Sequence, residues 1–66
     1  YRMHEILAGI QKTDGIYVLW QEGSTSRTTL FSYGELIAQS VNVLDLVSNP
    51  GKYTLDEVHH RIIPRR

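Results

Sequence analysis

The chain has 66 residues, and its seven basic and seven acidic side chains give a formal net charge of zero at neutral pH. A chain of this length buries only about 60% of the surface that its unfolded form exposes, so its core is small. The lack of cysteine excludes disulfides and thiolate zinc sites. No apolar run approaches the ~20 residues of a membrane span, so we expect one soluble domain over residues 1–66, intracellular and cytoplasmic.

The N-terminal segment from Tyr1 to Gln11 has the apolar spacing of a helix face. The apolar positions i, i+3, i+4 and i+7 are Met3, Ile6, Leu7 and Ile10. This spacing predicts a short first helix, although Gly9 disfavours a helix and a strand over residues 3–10 remains open. The following residues, 12–15, end in Asp-Gly and predict a turn.

The next segment has the composition of a β-hairpin. Residues 16–21 are rich in β-branched and aromatic side chains, with Ile16, Val18 and Trp20 alternating with Tyr17 and Leu19. Residues 22–26 are polar and form a turn of hairpin length, and residues 27–31 read as the returning strand. We therefore expect a hairpin with Trp20 near its tip.

A capping box marks the start of a second helix. Ser32 is followed three positions later by Glu35, so the hydroxyl and the carboxylate can satisfy two backbone N–H groups reciprocally. The predicted helix runs from Tyr33 to about Ser48 and ends before Pro50. Its apolar side chains are Tyr33, Leu36, Ile37, Val41, Val43, Leu44, Leu46 and Val47. They form an arc wider than a helix on a single sheet needs.

The same capping signal recurs at Thr54 and Glu57 and predicts a third helix from Leu55 to Ile63, ended by Pro64. The resulting fold class is α+β. It consists of a short N-terminal helix, a β-hairpin, a long amphipathic helix and a short C-terminal helix, with the helices packed on one face of the hairpin.

The segment of residues 16–36, about a third of the chain, resembles a local stretch of adenylate-forming enzymes. In that family a strand enters a helix through a Thr/Ser-Tyr-x-Glu-Leu run, which matches residues 32–36 here. The resemblance implies the strand-to-helix connection. It includes no nucleotide-binding motif, and no function follows from it.

The histidines are the main candidates for chemistry. His59 and His60 follow Asp56 and Glu57 at helical neighbour spacing, and Glu57 with His60 has the Glu-x-x-His spacing of carboxylate-bridged metal sites. Such sites need a second copy of this motif, which the chain lacks, so we interpret the residues as surface acid–imidazole pairs. No nucleophile motif or phosphate loop is present. We therefore predict no enzymatic activity, no catalytic residues, no metal and no cofactor.

The broad apolar arc predicts a small protein–protein interaction or regulatory domain that associates with itself, as a homodimer or other homo-oligomer, through the long helix. The side chains left over on that helix are Val43 and Leu46, with Gln39 beside them, and Trp20 at the hairpin tip is a second candidate. The expected partner is a protein, which can be a second copy of this chain. No membrane partner is expected.

A DNA-binding regulator is the alternative. In a ribbon-helix-helix arrangement Arg27 and Thr29 would contact DNA. In a helix-turn-helix arrangement the contacts would come from His60, Arg61, Arg65 and Arg66. Affinity for duplex DNA depends on phosphate neutralisation, and a net charge of zero makes nucleic acid the less favoured partner.

Overall fold

The computed structural model describes residues 3–65, which form a five-stranded antiparallel sheet with two short helices. The strands are β1 (His4–Gln11), β2 (Gly15–Glu22), β3 (Thr25–Ser32), β4 (Tyr53–Asp56) and β5 (Arg61–Pro64). Between β3 and β4 lie α1 (Tyr33–Ala38), α2 (Val43–Ser48) and a 3-10 helix (Pro50–Lys52). The strand order is β3-β2-β1-β4-β5, so β1 is central and β3 and β5 are the edges.

The β2–β3 hairpin forms where the sequence predicts it, with Trp20 opposite Arg27 near the tip. Trp20 is buried, its indole N–H donates to the Thr29 hydroxyl at 2.8 Å, and its ring centroid lies 4.4 Å from that of His4. The side chains of Ile16 and Val18 are buried on the same side of β2. This inner side of the sheet therefore faces the core.

The predicted N-terminal helix is wrong, because residues 4–11 form β1. A bulge explains the misleading pattern. Ile6 lies opposite Trp20 and Ala8 lies opposite Leu19, so Leu7 is an extra residue in β1. An extra residue shifts the alternation of side chains by one position. Ile6 consequently points into the core while Ile10 points away from it, and the apolar spacing imitates that of a helix.

The prediction of a long second helix is also wrong, because the chain leaves the helical path after Ala38. Ser40 adopts a positive φ of 60°. The N–H of Val41 donates to the Leu36 carbonyl at 2.9 Å and that of Ser40 to the Ile37 carbonyl at 3.0 Å, which is the Schellman pattern of a helix C-terminus. Asn42 then caps α2 by accepting from the Asp45 N–H.

The predicted third helix is replaced by β4, a turn over residues 57–60, and β5. The Thr54 hydroxyl donates to the Ile63 carbonyl across the two strands instead of capping a helix. In the turn, the Asp56 carboxylate accepts from the backbone N–H of His59 at 3.2 Å, and His60 has a positive φ of 54°. Strands of four residues are too short for their alternation to outweigh a capping signal.

The helices pack on the inner side of the sheet, with α2 and the 3-10 helix beside β1 and α1 beside β3. Gly9 permits this approach, because a Cβ there would lie 3.2 Å from the Leu46 carbonyl oxygen. The core consists of Ile6, Ile16, Val18, Trp20, Phe31, Leu36, Val41, Leu46, Tyr53, Leu55 and Ile62. Among residues 3–65, no helix has the length and apolar character needed to cross a membrane.

Candidate interaction surface

The residues predicted to form interaction surfaces on the long helix and at the hairpin tip do not form an exposed patch. Leu46 is fully buried and Trp20 is 3% exposed, so both belong to the core. Val43 is half-buried and packs against that core. Gln39 is half-buried as well, and its side-chain amide hydrogen-bonds to the backbone at His60 and Ile62. The long helix through which self-association was predicted is therefore absent from residues 3–65.

The residues of the DNA-binding alternative are divided between the two edges of the sheet. Arg27 and Thr29 lie on β3, where Arg27 forms an ion pair with Glu22 at 2.7 Å and Thr29 accepts from Trp20. Of the others, His60 lies in the turn before β5, Arg61 lies in β5, and Arg65 directly follows it. β3 runs directly into α1 and α2, but the predicted C-terminal helix of the helix-turn-helix arrangement is absent from residues 3–65, and Arg66 lies outside that range.

The side of the sheet opposite the helices carries an apolar row across three strands. Tyr17 on β2 lies opposite Ile10 on β1 and opposite Leu30 on β3. Residues directly opposite on antiparallel strands project from the same side of the sheet. Their exposed fractions are 45% for Ile10, 39% for Tyr17 and 44% for Leu30. The row is therefore partly covered by its own neighbours and otherwise open.

A second row runs beside the first and consists of Ala8, Leu19 and Thr28. We call the two rows together the outer face: Ala8, Ile10, Tyr17, Leu19, Thr28 and Leu30. An antiparallel sheet with one solvated face normally alternates apolar inward and polar outward positions. The outer face departs from this rule on β1 and β2. The alternation of Tyr17 and Leu19 in the sequence signals this departure, whereas Ile10 and Leu30 could not be assigned to it without the register.

An open cleft of about 330 Å³ lies at the end of the outer face near the β1–β2 turn. It is lined by Lys12, Thr13, Asp14, Tyr17 and Leu30. The Lys12 ammonium lies 5.6 Å from the centre of the Tyr17 ring, within cation–π range. The carbonyl of Lys12 accepts from the Tyr33 hydroxyl at 2.6 Å, which ties this turn to α1.

His59 and His60 lie in the turn between β4 and β5, where each has a carboxylate neighbour. The His59 Nδ1 atom is 2.9 Å from a carboxylate oxygen of Asp56, which is buried. Burial raises the pKa of Asp56, but the hydrogen bonds from His59, together with electrostatic attraction by His59 and Arg61, outweigh burial, so this pKa lies below its usual value.

His60 links the turn to α1 and β3. Its ring stacks on Phe31 with centroids 4.0 Å apart, and its Nε2 atom is 3.4 Å from Glu35. The Glu35 carboxylate accepts from the Ser32 backbone N–H at 2.9 Å, which is the main reason that the pKa of Glu35 is lowered. This arrangement confirms the capping box at Ser32 and Glu35. Within residues 3–65, no three histidine, aspartate or glutamate side chains come together as a metal site requires.

A buried tyrosine joins α2 to β4. The Tyr53 hydroxyl donates to the Asp45 carboxylate at 2.7 Å. This hydrogen bond and burial raise the pKa of Tyr53 to about 12. The same bond is the main cause of the lowered pKa of Asp45, which also accepts from the Asn49 side chain at 2.8 Å. The pair has a structural role, because it holds α2 to the sheet away from the outer face.

Comparison of the chain with protein-family models, with curated proteins and with solved structures finds no match in any of the three.

Proposed function

We propose that this chain is a small protein-binding domain that acts by contact rather than by catalysis, and that the outer face is its binding surface. The observation that carries the proposal is the row of Ile10, Tyr17 and Leu30, whose side chains are 39–45% exposed on the side of the sheet opposite the helices. Contiguous apolar side chains that a sheet leaves uncovered are typical of protein interaction sites.

The chemistry of the row favours a protein partner. Tyr17 lies at its centre, and tyrosine is enriched at protein interfaces because a rigid ring offers much contact area at low entropic cost. The aliphatic side chains of Ile10 and Leu30 flank it. Covering such surface is favourable by roughly 25 cal/mol for each Å² of apolar area removed from water. Lys12 and Asp14 at the adjoining cleft supply a polar rim.

The proposal is tested by comparing immobilised wild-type protein with two variants. Tyr17→Lys places a charge in the row, whereas Leu44→Lys places the same charge at a side chain that is 71% exposed on α2. We expect the wild type and Leu44→Lys to retain equal amounts of a protein partner. Tyr17→Lys should retain at least about tenfold less of it. Quantitative mass spectrometry of the retained proteins measures this, followed by binding isotherms with the purified partner.

Circular dichroism and thermal unfolding verify that each variant is folded. Leu30→Lys is the second row variant and should reproduce the loss if Tyr17→Lys does not fold. If every partner is retained equally by the row variants and by Leu44→Lys, the outer face is not a binding surface.

A further inference from the structure

We infer that β3 pairs edge to edge with β3 of a second copy of the chain, so that the two sheets join into one continuous sheet of a homodimer. This inference goes beyond the proposed function, because it uses the backbone of an edge strand rather than the side chains of the outer face. The sheet formed by residues 3–65 ends at β3 on one side and at β5 on the other. The structure closes one of these edges and leaves the other open.

The edge at β5 is closed by the chain itself. The N–H of Ile62 points away from β4 and donates to the Gln39 side chain at 2.9 Å. Backbone groups two residues apart on an antiparallel strand point to the same side. The next outward position on β5 is therefore Pro64, which has no N–H to donate. A further strand thus finds no free backbone donor on β5.

The edge at β3 is open over most of its length. A two-residue loop joins β2 to β3, with Glu22 opposite Thr25, so the Thr25 N–H faces the Glu22 carbonyl as in a β-turn. From this pair onward, every second residue of β3 directs its backbone groups to β2. The residues between them direct their N–H and C=O groups to the free edge, and all three are exposed: Ser26, Thr28 and Leu30.

The capping box supports this assignment. Ser32 is the next outward residue of β3, and its N–H donates to the Glu35 carboxylate at 2.9 Å. The chain therefore satisfies the last outward donor, where α1 begins, but not the three before it.

β3 also lacks the features that keep edge strands from pairing. It contains no proline, lysine or bulge, which are common ways of blocking an edge. Its one charged side chain, Arg27, already forms an ion pair with Glu22 at 2.7 Å. An unblocked edge of this kind accepts another extended polypeptide strand, because only such a strand presents backbone donors and acceptors at matching intervals.

A second β3 matches this edge in a defined register. When two β3 strands pair antiparallel about a two-fold axis at Thr28, Ser26 of each copy lies opposite Leu30 of the other. All three outward residues then form hydrogen-bonded pairs, each of which exchanges two backbone bonds. Moving the axis by one residue places Leu30 opposite the hairpin turn or Ser26 opposite Ser32, whose N–H is already bonded. β3 itself therefore specifies the register, which is why a copy is the inferred occupant.

The side chains that this register brings together are compatible. The two Thr28 side chains face each other at the axis, and threonine pairs are favourable cross-strand neighbours. Arg27 lies opposite Thr29 of the second copy, so no like charges are directly opposite. In strand addition the main-chain hydrogen bonds supply the affinity, so the pairing does not require a large apolar area. Because few residues take part, we expect a weak and reversible dimer.

Charge exchange at Thr28 tests the inference, because the two-fold axis places this residue opposite itself. Thr28→Lys or Thr28→Glu alone puts like charges directly opposite and should raise the dissociation constant by about fivefold or more. An equimolar mixture of the two variants pairs opposite charges and should restore association. Sedimentation equilibrium from about 10 µM to about 1 mM measures the wild type, each variant and the mixture, since this range covers weak complexes.

A backbone variant tests the same contact without a charge. Thr28→Pro removes an N–H that points away from β2, so it should abolish self-association while the hairpin remains folded. Ser26→Pro removes another outward N–H and is the second variant if Thr28→Pro does not fold. Tyr17→Lys and Leu44→Lys are the controls and should leave the dissociation constant unchanged. Circular dichroism verifies the fold of each variant.

A wild-type protein that stays monomeric throughout this range overturns the inference. It is also overturned by a dimer that the Thr28 variants leave intact, or by a mixture that associates no better than its two components. The proposed function fails separately, because it depends on Tyr17. A monomer that captures another protein through Tyr17 contradicts the dimer only, whereas an edge-paired dimer without a Tyr17-dependent partner contradicts the proposed function only.

Discussion

Gln39 accepts a hydrogen bond from the backbone N–H of Ile62 at 2.9 Å, joining the end of α1 to the edge strand β5. The same side-chain amide donates to the His60 carbonyl at 3.2 Å. One side chain thus satisfies a backbone group of the edge strand and one of the turn that leads into it. Gln39 therefore serves the fold where the sequence suggested an interaction surface.

Removing this link should destabilise the protein. In Gln39→Ala, the N–H of the buried residue Ile62 loses its acceptor, and an unsatisfied buried donor costs about 1–3 kcal/mol. Urea unfolding followed by circular dichroism measures the loss. Gln21→Ala, at an exposed position of β2, is the matched control and should change the free energy of unfolding by less than about 0.5 kcal/mol. Equal effects of the two substitutions would contradict the role of Gln39.

Ser40→Gly should stabilise the protein. Ser40 has a φ of 60°, which glycine adopts without the steric cost of a Cβ, roughly 1–2 kcal/mol for other residues. Glycine also gives the unfolded chain more entropy, which offsets part of this gain, so we expect a net increase of about 0.5–1 kcal/mol in the free energy of unfolding.

The sign of this effect distinguishes the observed helix end from a continuous helix. In a helix running through residue 40, glycine would cost up to about 1 kcal/mol. Thermal and urea unfolding of Ser40→Gly beside Ser40→Ala measure the difference. Alanine retains the Cβ and should show no such increase.

Acid should weaken the turn between β4 and β5. The folded-state pKa of Asp56 is below its unfolded value of 3.8, so its ionised form contributes stability above that value. This contribution is lost as the pH falls through the folded-state pKa. Between about pH 5 and pH 2, the stability difference between the wild type and Asp56→Asn should therefore shrink.

Unfolding by urea at a series of pH values in this range measures the difference. Val58→Ala changes an exposed, uncharged side chain in the same turn and should keep the pH dependence of the wild type. A constant difference between the wild type and Asp56→Asn would show that the Asp56 charge does not stabilise the turn.

Alkaline pH should release α2 from the sheet. Because the hydrogen bond to Asp45 raises the pKa of Tyr53 to about 12, the neutral phenol stabilises the fold. That contribution is complete below the usual tyrosine value of 10.0 and is lost as the pH rises through about 12. Ultraviolet titration of phenolate absorbance should show a late step that Tyr53→Phe removes and Asp45→Asn moves to lower pH. If the late step persists in Tyr53→Phe, it belongs to a group other than Tyr53.

Part of the fold was predictable because its signals are local. The alternation through Ile16, Val18 and Trp20 identified β2, and the hydroxyl and carboxylate of Ser32 and Glu35 identified the start of α1. Both depend on residues within a few positions of each other. The apolar outward side of β2 was also visible in the alternation of Tyr17 and Leu19.

The remaining elements depend on contacts between distant segments. A bulge at Leu7 adapts β1 to its neighbour β2, and the helical path ends at Ser40 because Val41 and Leu36 both enter the core. The second capping signal at Thr54 was overridden by pairing between β4 and β5. Local preferences of about 1 kcal/mol yield to such pairing and burial.

By itself, the sequence determined the hairpin and the Ser32 cap. It also showed that the chain has more apolar side chains than one small layer can bury. Tertiary structure decided where the surplus lies. Leu46 enters the core, and the register of β1 and β3 against β2 brings Ile10 and Leu30 beside Tyr17 on the outer face. Register sets which side of a sheet each residue occupies, and pairing between strands, rather than any single segment, sets the register.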